Sequence, residues 1–328
     1  MAKTFRLPKD EPLLNIASYA RGGPNAANRL TPSQIEHIRL TVNRAPEAVV
    51  KVLSRSSNEL KAVGRHIDYI GRRGDLDLEG DDGERLRGRI GAALLEDWDL
   101  DIDDARRQGG LTAATKRSPP KLVHKLMFSM PPGTPPQKVL TAVRNFAREE
   151  FFGQHRYAMV LHTDEPHPHV HLVLKAVSEN GVRLCIRKAL LREWRSEFAR
   201  HLRRLGVAAN ATDRAVRGQY HGALKDGIYR SALRGDSHFV RDHARATSVD
   251  RAGDGSAYEA GKLAMLKTRD LVIRGWKGIA EGFARRGEDV LAADIRKFVG
   301  SMQAPPTGRE SKEPAFQHRP PIEKALAR

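Results

Sequence analysis

The sequence predicts an α+β fold in which five strand segments alternate with amphipathic helices, followed by a mainly helical C-terminal region. Short apolar or alternating runs indicate strands, and apolar residues that recur every three or four positions indicate helices. The predicted strands are residues 47–54, 122–130, 156–161, 169–177 and 182–186. The predicted helices that follow the first, second and last strands are residues 60–70, 135–152 and 190–205.

The first strand and helix are justified by two apolar patterns. The run Ala48–Leu53 is typical of a short buried strand. The helix then carries one apolar stripe, made by Leu60, Val63, Ile67 and Ile70. Two glycines, Gly71 and Gly74, end it.

The second strand alternates clearly and leads directly into the next helix. Leu122, Leu126 and Phe128 share one parity with His124 and Met130. A Pro-Pro-Gly turn at residues 131–133 follows, and Thr134-Pro135 is typical of a helix start.

The third and fourth strands surround the most unusual stretch of the chain. Four of the 13 histidines lie within residues 162–171. His169 and His171 alternate with aliphatic residues, so on a strand they project from the same face, and a short connection brings His162 beside them. Three neutral imidazoles within reach of one ion predict a metal site. The alternative is a chance histidine cluster on a solvated strand face.

Tyr69 lies in the last turn of the first helix, off its apolar stripe, with His66, Arg72 and Arg73 nearby. Most such tyrosines are merely half-exposed amphipathic side chains. The other interpretation is a nucleophile, because a phenol with an ordinary pKa of about 10 needs nearby positive charge or a base to react at neutral pH. The local sequence leaves both open.

The charge balance predicts a polyanionic partner. The 328 residues include 57 Lys and Arg against 40 Asp and Glu, a net charge of +17 and a pI near 10.2. This excess costs self-repulsion, and nucleic acid is the favoured partner. An anionic membrane surface is the alternative, but no long basic amphipathic helix supports it. The basic helix 190–205 carries arginines that either bind phosphates or are simply solvated.

The remaining bulk features predict a cytoplasmic protein without membrane insertion. A single cysteine, Cys185, excludes an intramolecular disulfide and fits a reducing compartment. No apolar run approaches the roughly 20 residues of a membrane helix, and no signal peptide core follows the N-terminus.

The less regular segments suggest the domain organisation. Residues 1–46 are interpreted as an N-terminal extension and residues 75–120 as a solvated, acidic insertion. Residues 303–328, basic and rich in proline, are predicted to be a disordered tail.

Four segments together resemble the relaxases of conjugative and mobilisable plasmids, within the HUH endonuclease superfamily and of the mobilisation and T-DNA border endonuclease type. They are residues 67–74, 127–134, 162–171 and 211–218, in the family's order and with similar spacing. The resemblance implies a relaxase domain at 47–218, followed by a helical region at 219–302. It also implies a five-stranded antiparallel sheet with helices on one face.

The same resemblance implies the chemistry. Tyr69 matches the family's nucleophilic tyrosine, His162, His169 and His171 match its metal ligands, and Asp164 matches an acidic position that orients a histidine. His167 occupies a position that not all relaxases fill with histidine. The activity would be metal-assisted nicking of one DNA strand, leaving a 5′-phosphotyrosine. The family implies Mg²⁺ or Mn²⁺, whereas three imidazoles alone favour Zn²⁺.

The implied partners follow from relaxase biology. They are single-stranded DNA at a transfer origin, a relaxosome accessory protein, and a type IV coupling protein and secretion system that exports the protein with the bound strand. The predicted DNA contacts are Arg72, Arg73, Arg192, Arg195, Arg203 and Arg204.

Three other functions remain open at this point. A rolling-circle replication initiator shares the chemistry but generally places its tyrosine after the histidines. A single-stranded nucleic-acid binder that has lost catalysis is an alternative from another class. A zinc hydrolase is weaker, because the chain has no His-Glu-x-x-His.

Overall fold

The computed structural model of the chain describes residues 30, 32–53, 59–109, 120–219, 231 and 256–304. These residues fall into two compact units, one within Asn43–Ala211 and one within Leu14–Val42 and Thr212–Arg328. Most of the predicted N-terminal extension, and the predicted tail from residue 305 onwards, lie outside the described residues.

Helices and strands are numbered in chain order over the described residues. The helices are α1 (Pro32–Val42), α2 (Leu60–Ile70), α3 (Gly91–Asp97), α4 (Leu100–Gly109), α5 (Pro136–Phe151), α6 (Lys188–Arg204), α7 (Ser256–Arg285) and α8 (Asp289–Gly300). The strands are β1 (Val49–Leu53), β2 (Leu78–Gly80), β3 (Arg85–Leu86), β4 (Val123–Ser129), β5 (Tyr157–His162) and β6 (His169–Lys175). Short 3₁₀ turns occur at Arg72–Gly74 and Ala215–Arg217.

The described strands form one open sheet of six strands in the order β1-β4-β6-β5-β2-β3, and every neighbouring pair is antiparallel. The prediction of a mixed fold with an antiparallel sheet is confirmed, but the count of five strands is wrong. Residues 182–186 form no strand and contribute only a single bridge, Val177 to Arg183. Val182 is 65% exposed, and Leu184 and Ile186 are only partly buried against the neighbouring core, so burial fixes the register of this segment weakly.

The two additional strands come from the acidic segment 75–120. Glu79 and Gly80 of β2 pair with β5, and β3 pairs with β2 at the edge. Arg144 holds Glu79 through both carboxylate oxygens, and Arg156 binds Asp81 and Asp97. This segment therefore contributes to the sheet, and several of its charges are paired.

Helices cover both faces of the sheet, so the prediction of helices on one face is also wrong. One face, with Leu126, Phe128 and Leu172, packs against α5 and α6 in an aromatic core. The opposite face, with Val160 and Val173, packs against α2 and α3. The central strands β4 and β6 are largely buried on both faces. The alternation of their residues therefore did not reveal in the sequence that helices cover the second face.

The aromatic core is the main support of the sheet. Phe128 contacts Phe146 and Phe198 with ring centroids 5.1 and 5.3 Å apart, and all three rings are buried. Each fully buried phenylalanine contributes roughly 1.5–3 kcal/mol to folding. This core lies on the face away from the histidines and fixes the strands that carry them.

The described part of the second unit contains C-terminal helices, as predicted for this region. Trp276 of α7 is buried, donates its indole N–H to the Val216 carbonyl at 2.9 Å, and packs on Phe298 of α8. Among the residues described here, none of the helices combines the length and hydropathy of a membrane span.

Candidate active site

Three histidines meet at one end of the sheet, on the face covered by α2. His162, the last residue of β5, pairs directly with His169, the first residue of β6, and His171 follows two positions along the same face. Their ring centroids are 4.7–5.2 Å apart, and one nitrogen from each lies within 4.8 Å of the other two. The strands thus bring together the set that can hold one ion.

Hydrogen bonds fix the orientation of two of these rings. His162 donates its Nε2–H to the carbonyl of Ile70 at 2.7 Å, which leaves Nδ1 as its unprotonated nitrogen. His169 donates its Nδ1–H to the carbonyl of His167 at 3.0 Å, which leaves Nε2. Such bonds select the tautomer and hold a ligating ring in place. Among the described residues, no such bond is made by Nδ1 of His171, which is buried.

The electrostatic environment keeps two of the rings uncharged. Burial, together with His162 and His169 nearby, lowers the pKa of His171 to about 3. Burial is also the main cause of the lowered pKa of His162, with Arg72 adding to it. Both rings are therefore neutral at pH 7, as a metal ligand must be.

Tyr69 lies next to this cluster at the C-terminal end of α2. Val63, Ile67 and Ile70 bury the other side of the helix, so the phenol ring is left 63% exposed. The His66 ring stacks on it, with centroids 6.4 Å apart and an interplanar angle of 23°. Since the Ile70 carbonyl binds His162, the end of α2 is tied directly to the histidines.

Arg72 connects the tyrosine to the histidine strand. Its guanidinium lies over the Tyr69 ring, binds the carboxylate of Asp164, and places Nη2 3.4 Å from Nδ1 of His162. The connection predicted between Asp164 and a histidine therefore passes through Arg72. The backbone here is left-handed at both Arg72 and Arg73, with φ of 52° and 59°. Such strain in non-glycine residues is concentrated at functional sites.

Comparison with known families matches residues 86–206 to the family described as relaxase, MobA/VirD2-like, nuclease domain. Residues 86–206 are therefore similar to the nuclease domain of the mobilisation-family relaxases. At the level of the family, this domain is a DNA endonuclease that binds single-stranded DNA and uses a divalent metal. The matched segment contains all three clustered histidines and Asp164, and it begins after Tyr69. No curated protein matches the chain.

The histidine cluster fits a divalent cation by its chemistry. Each of the three rings offers one nitrogen as a ligand, and two of them have the other nitrogen anchored. His167 is exposed and does not belong to the group of three; its backbone carbonyl serves as the anchor of His169.

A second group of side chains could be mistaken for a metal site. Glu149, Glu197 and His201 lie equally close together on α5 and α6. Arg200, however, donates to both carboxylates, at 2.5 Å to Glu149 and 2.8 Å to Glu197. We interpret this group as an ion-pair network between two helices.

The structure does not bring the predicted DNA-binding arginines of α6 to the histidines. Helix α6 packs on the opposite face of the sheet. Arg195 and Arg203 donate to the backbone carbonyls of Ala211 and Ala209, and Arg204 lies 3.7 Å from Glu149. DNA contact by these three, and by Arg192 on the same helix, remains a prediction. Of the six predicted contacts, only Arg72 and Arg73 adjoin the site.

Two properties of this site were not predicted from the sequence: the lowered pKa of His66, and the position of two lysines on the histidine face. Burial, with the charge of Lys125 nearby, lowers the pKa of His66 to about 4, so this ring adds no positive charge beside Tyr69 at pH 7. Lys125 of β4 and the exposed Lys51 of β1 lie on the histidine face. Their strand parity, opposite to that of Val50, Leu126 and Phe128, was the available signal.

Proposed function

We propose that this protein is a site- and strand-specific DNA relaxase that nicks at a transfer origin by tyrosine transesterification. The observation that carries the proposal is the junction of Tyr69 with the histidine cluster. The end of α2 is bound to His162 through the Ile70 carbonyl, and Arg72 contacts both the Tyr69 ring and Asp164. A nucleophile and a cation site for the same phosphate need such proximity.

The proposed reaction exchanges one phosphodiester for another. The Tyr69 oxygen attacks the scissile phosphorus, the bond to the 3′-oxygen breaks, and the phenolic proton is lost while the 3′-oxygen gains one. The products are a 5′-phosphotyrosine and a free 3′-hydroxyl. No nucleotide is consumed, so attack by a 3′-hydroxyl reverses the step and reseals the strand. The exposure of the Tyr69 ring suits entry of a DNA strand.

His162, His169 and His171 would hold the divalent cation. When bound, a cation in this place polarises a nonbridging phosphate oxygen and offsets the charge of the transition state. We propose Mg²⁺ or Mn²⁺ as the physiological ion, with Zn²⁺ as the alternative that three imidazoles favour. Arg72 and Arg73 contribute positive charge beside the same phosphate, and we assign Asp164 to hold Arg72 in place.

The proposed biological role is conjugative transfer or mobilisation. The partners would be single-stranded DNA at a transfer origin, a relaxosome accessory protein, and a type IV coupling protein and secretion system. The protein would act in the bacterial cytoplasm and be exported with the attached strand. The net charge of +17 supports the DNA partner.

The test is formation of a covalent protein–DNA adduct. The full chain is incubated with Mn²⁺ and labelled oligonucleotides tiled across the transfer origin of its own mobile element, and products are separated under denaturing conditions. We expect an adduct with the wild type and with Tyr157→Phe, whose ring is buried at the other end of β5, and none with Tyr69→Phe. An adduct that persists in Tyr69→Phe refutes the assigned nucleophile. Binding of all oligonucleotides without cleavage by the wild type favours the non-catalytic binder instead.

A further inference from the structure

The three clustered histidines differ in how the ring nitrogen that does not face the cation is hydrogen bonded. His162 and His169 each have one nitrogen held by a backbone carbonyl. His171 Nδ1, in contrast, is buried and has no hydrogen-bond partner among the described residues. A buried N–H without an acceptor is destabilising, because its lost hydrogen bond to water is not replaced. An acceptor for this nitrogen is therefore expected close by.

His66 also has one ring nitrogen without a hydrogen bond. Its Nε2 is buried and has no hydrogen-bond partner within the part of the chain that the structure describes. The ring lies on the sheet-facing side of α2, one turn after Val63 and one turn before Ile70, both fully buried against this face. Lys125 acts electrostatically on His66, and His66 acts on His171, which places the His66 ring over the strands that carry these two residues. A neutral imidazole provides one acceptor nitrogen.

We propose that His66 is a positioning residue of the metal centre, whose Nε2 accepts the Nδ1–H of His171 directly or through one water molecule. This pairing satisfies both buried nitrogens, selects the Nδ1–H tautomer of His171, and leaves Nε2 of His171 for the cation. The inference rests on the proposed function, because it assigns a role within the metal site that function requires.

The consequence is that α2 does more than carry the nucleophile. Its last residue, Ile70, anchors His162, and His66 would anchor His171. Tyr69 lies between these two positions on the same helix. One rigid element would then set the place of the nucleophile relative to two of the three ligands.

The test measures Mn²⁺ affinity of the full chain by the electron paramagnetic resonance signal of free Mn²⁺, in the absence of DNA. We expect His66→Leu to weaken binding by about 10- to 100-fold, as is typical when a ligand's hydrogen-bond partner is lost. His66→Gln, whose amide oxygen can accept the same hydrogen bond, should recover most of the affinity. His124→Gln is the matched control, since His124 is similarly buried but lies on the opposite face of the sheet, and it should bind like the wild type.

Two further measurements separate the possible outcomes. If the wild type does not bind Mn²⁺, or if His162→Ala binds it equally well, the metal site of the proposed function is refuted. If the wild type binds but His66→Leu, shown to be folded by circular dichroism, binds equally well, only the role of His66 is overturned. Electron spin echo modulation counts the coordinated imidazoles. An unchanged count in His66→Gln supports a positioning role, whereas a count reduced by one makes His66 a ligand and refutes the proposal.

Discussion

The guanidinium of Arg72 lies over the ring of Tyr69, with its central carbon 5.8 Å from the ring centroid. The same group binds Asp164 and approaches His162, so one side chain contacts all three parts of the site. Its left-handed backbone costs on the order of 1–3 kcal/mol, which the surrounding contacts must offset. We infer that this conformation is retained because it places the guanidinium between the nucleophile and the histidines.

Replacing Arg72 should slow nicking without removing the nucleophile. We expect Arg72→Gln to reduce the rate of adduct formation by about 10- to 100-fold, because a fixed positive charge beside the scissile phosphate is lost. Arg65→Gln is the control, since Arg65 is an exposed arginine of α2 whose Nε donates to the Lys61 carbonyl. Single-turnover rates at saturating oligonucleotide measure the effect. Equal rates in the two variants would remove Arg72 from the mechanism.

The parts of the site that could be predicted from sequence depend on local pattern. Residues 162–171 contain two strand ends and a short connection, and strand alternation alone places His169 and His171 on one face. The stripe of α2 similarly predicts that Tyr69 points away from the core. In both cases the information lies within about ten residues.

The parts that were missed depend on tertiary partners. Strands β2 and β3 have three and two residues, too few to show a period, and β2 is held in place by pairing with β5. The second helical layer was missed because Val173 is buried on the face that alternation would assign to solvent. The relation of His66 to His171 is likewise non-local, since it depends on how α2 packs over β6.

Acid should destabilise the metal-free protein, in part through His124. Burial lowers the pKa of His124 to about 4, although the ring's hydrogen bond to the Leu184 carbonyl opposes the shift. As the pH falls below the ordinary value of about 6.5, the unfolded chain takes up a proton that the folded chain does not accept until about pH 4. The contribution of neutral His124 to the free energy of unfolding is thus fully present above pH 6.5. It is lost between pH 6.5 and pH 4, by up to about 3 kcal/mol.

Urea denaturation in the presence of a chelator, at several values between pH 7 and pH 4, measures this effect. We expect the unfolding free energy of the wild type to fall across this range and that of His124→Gln to fall less steeply, because glutamine does not titrate. Parallel curves for the two proteins would mean that His124 takes up its proton equally in both states.

The predicted DNA-binding arginines should separate into two groups by experiment. Arg73 adjoins the site, whereas Arg203 lies on the opposite face of the sheet and donates to the Ala209 carbonyl at 3.0 Å. We expect Arg73→Gln to weaken binding of single-stranded DNA and to reduce the salt dependence by a slope of about 0.7, the loss of one phosphate contact.

Arg203→Gln should leave the affinity for DNA within about twofold but lower the unfolding free energy by about 1.5–3 kcal/mol, because a charged hydrogen bond is lost. Fluorescence anisotropy at several salt concentrations, with urea denaturation of both variants, measures the two quantities. A shallower salt slope for Arg203→Gln at unchanged stability would show that DNA also contacts α6.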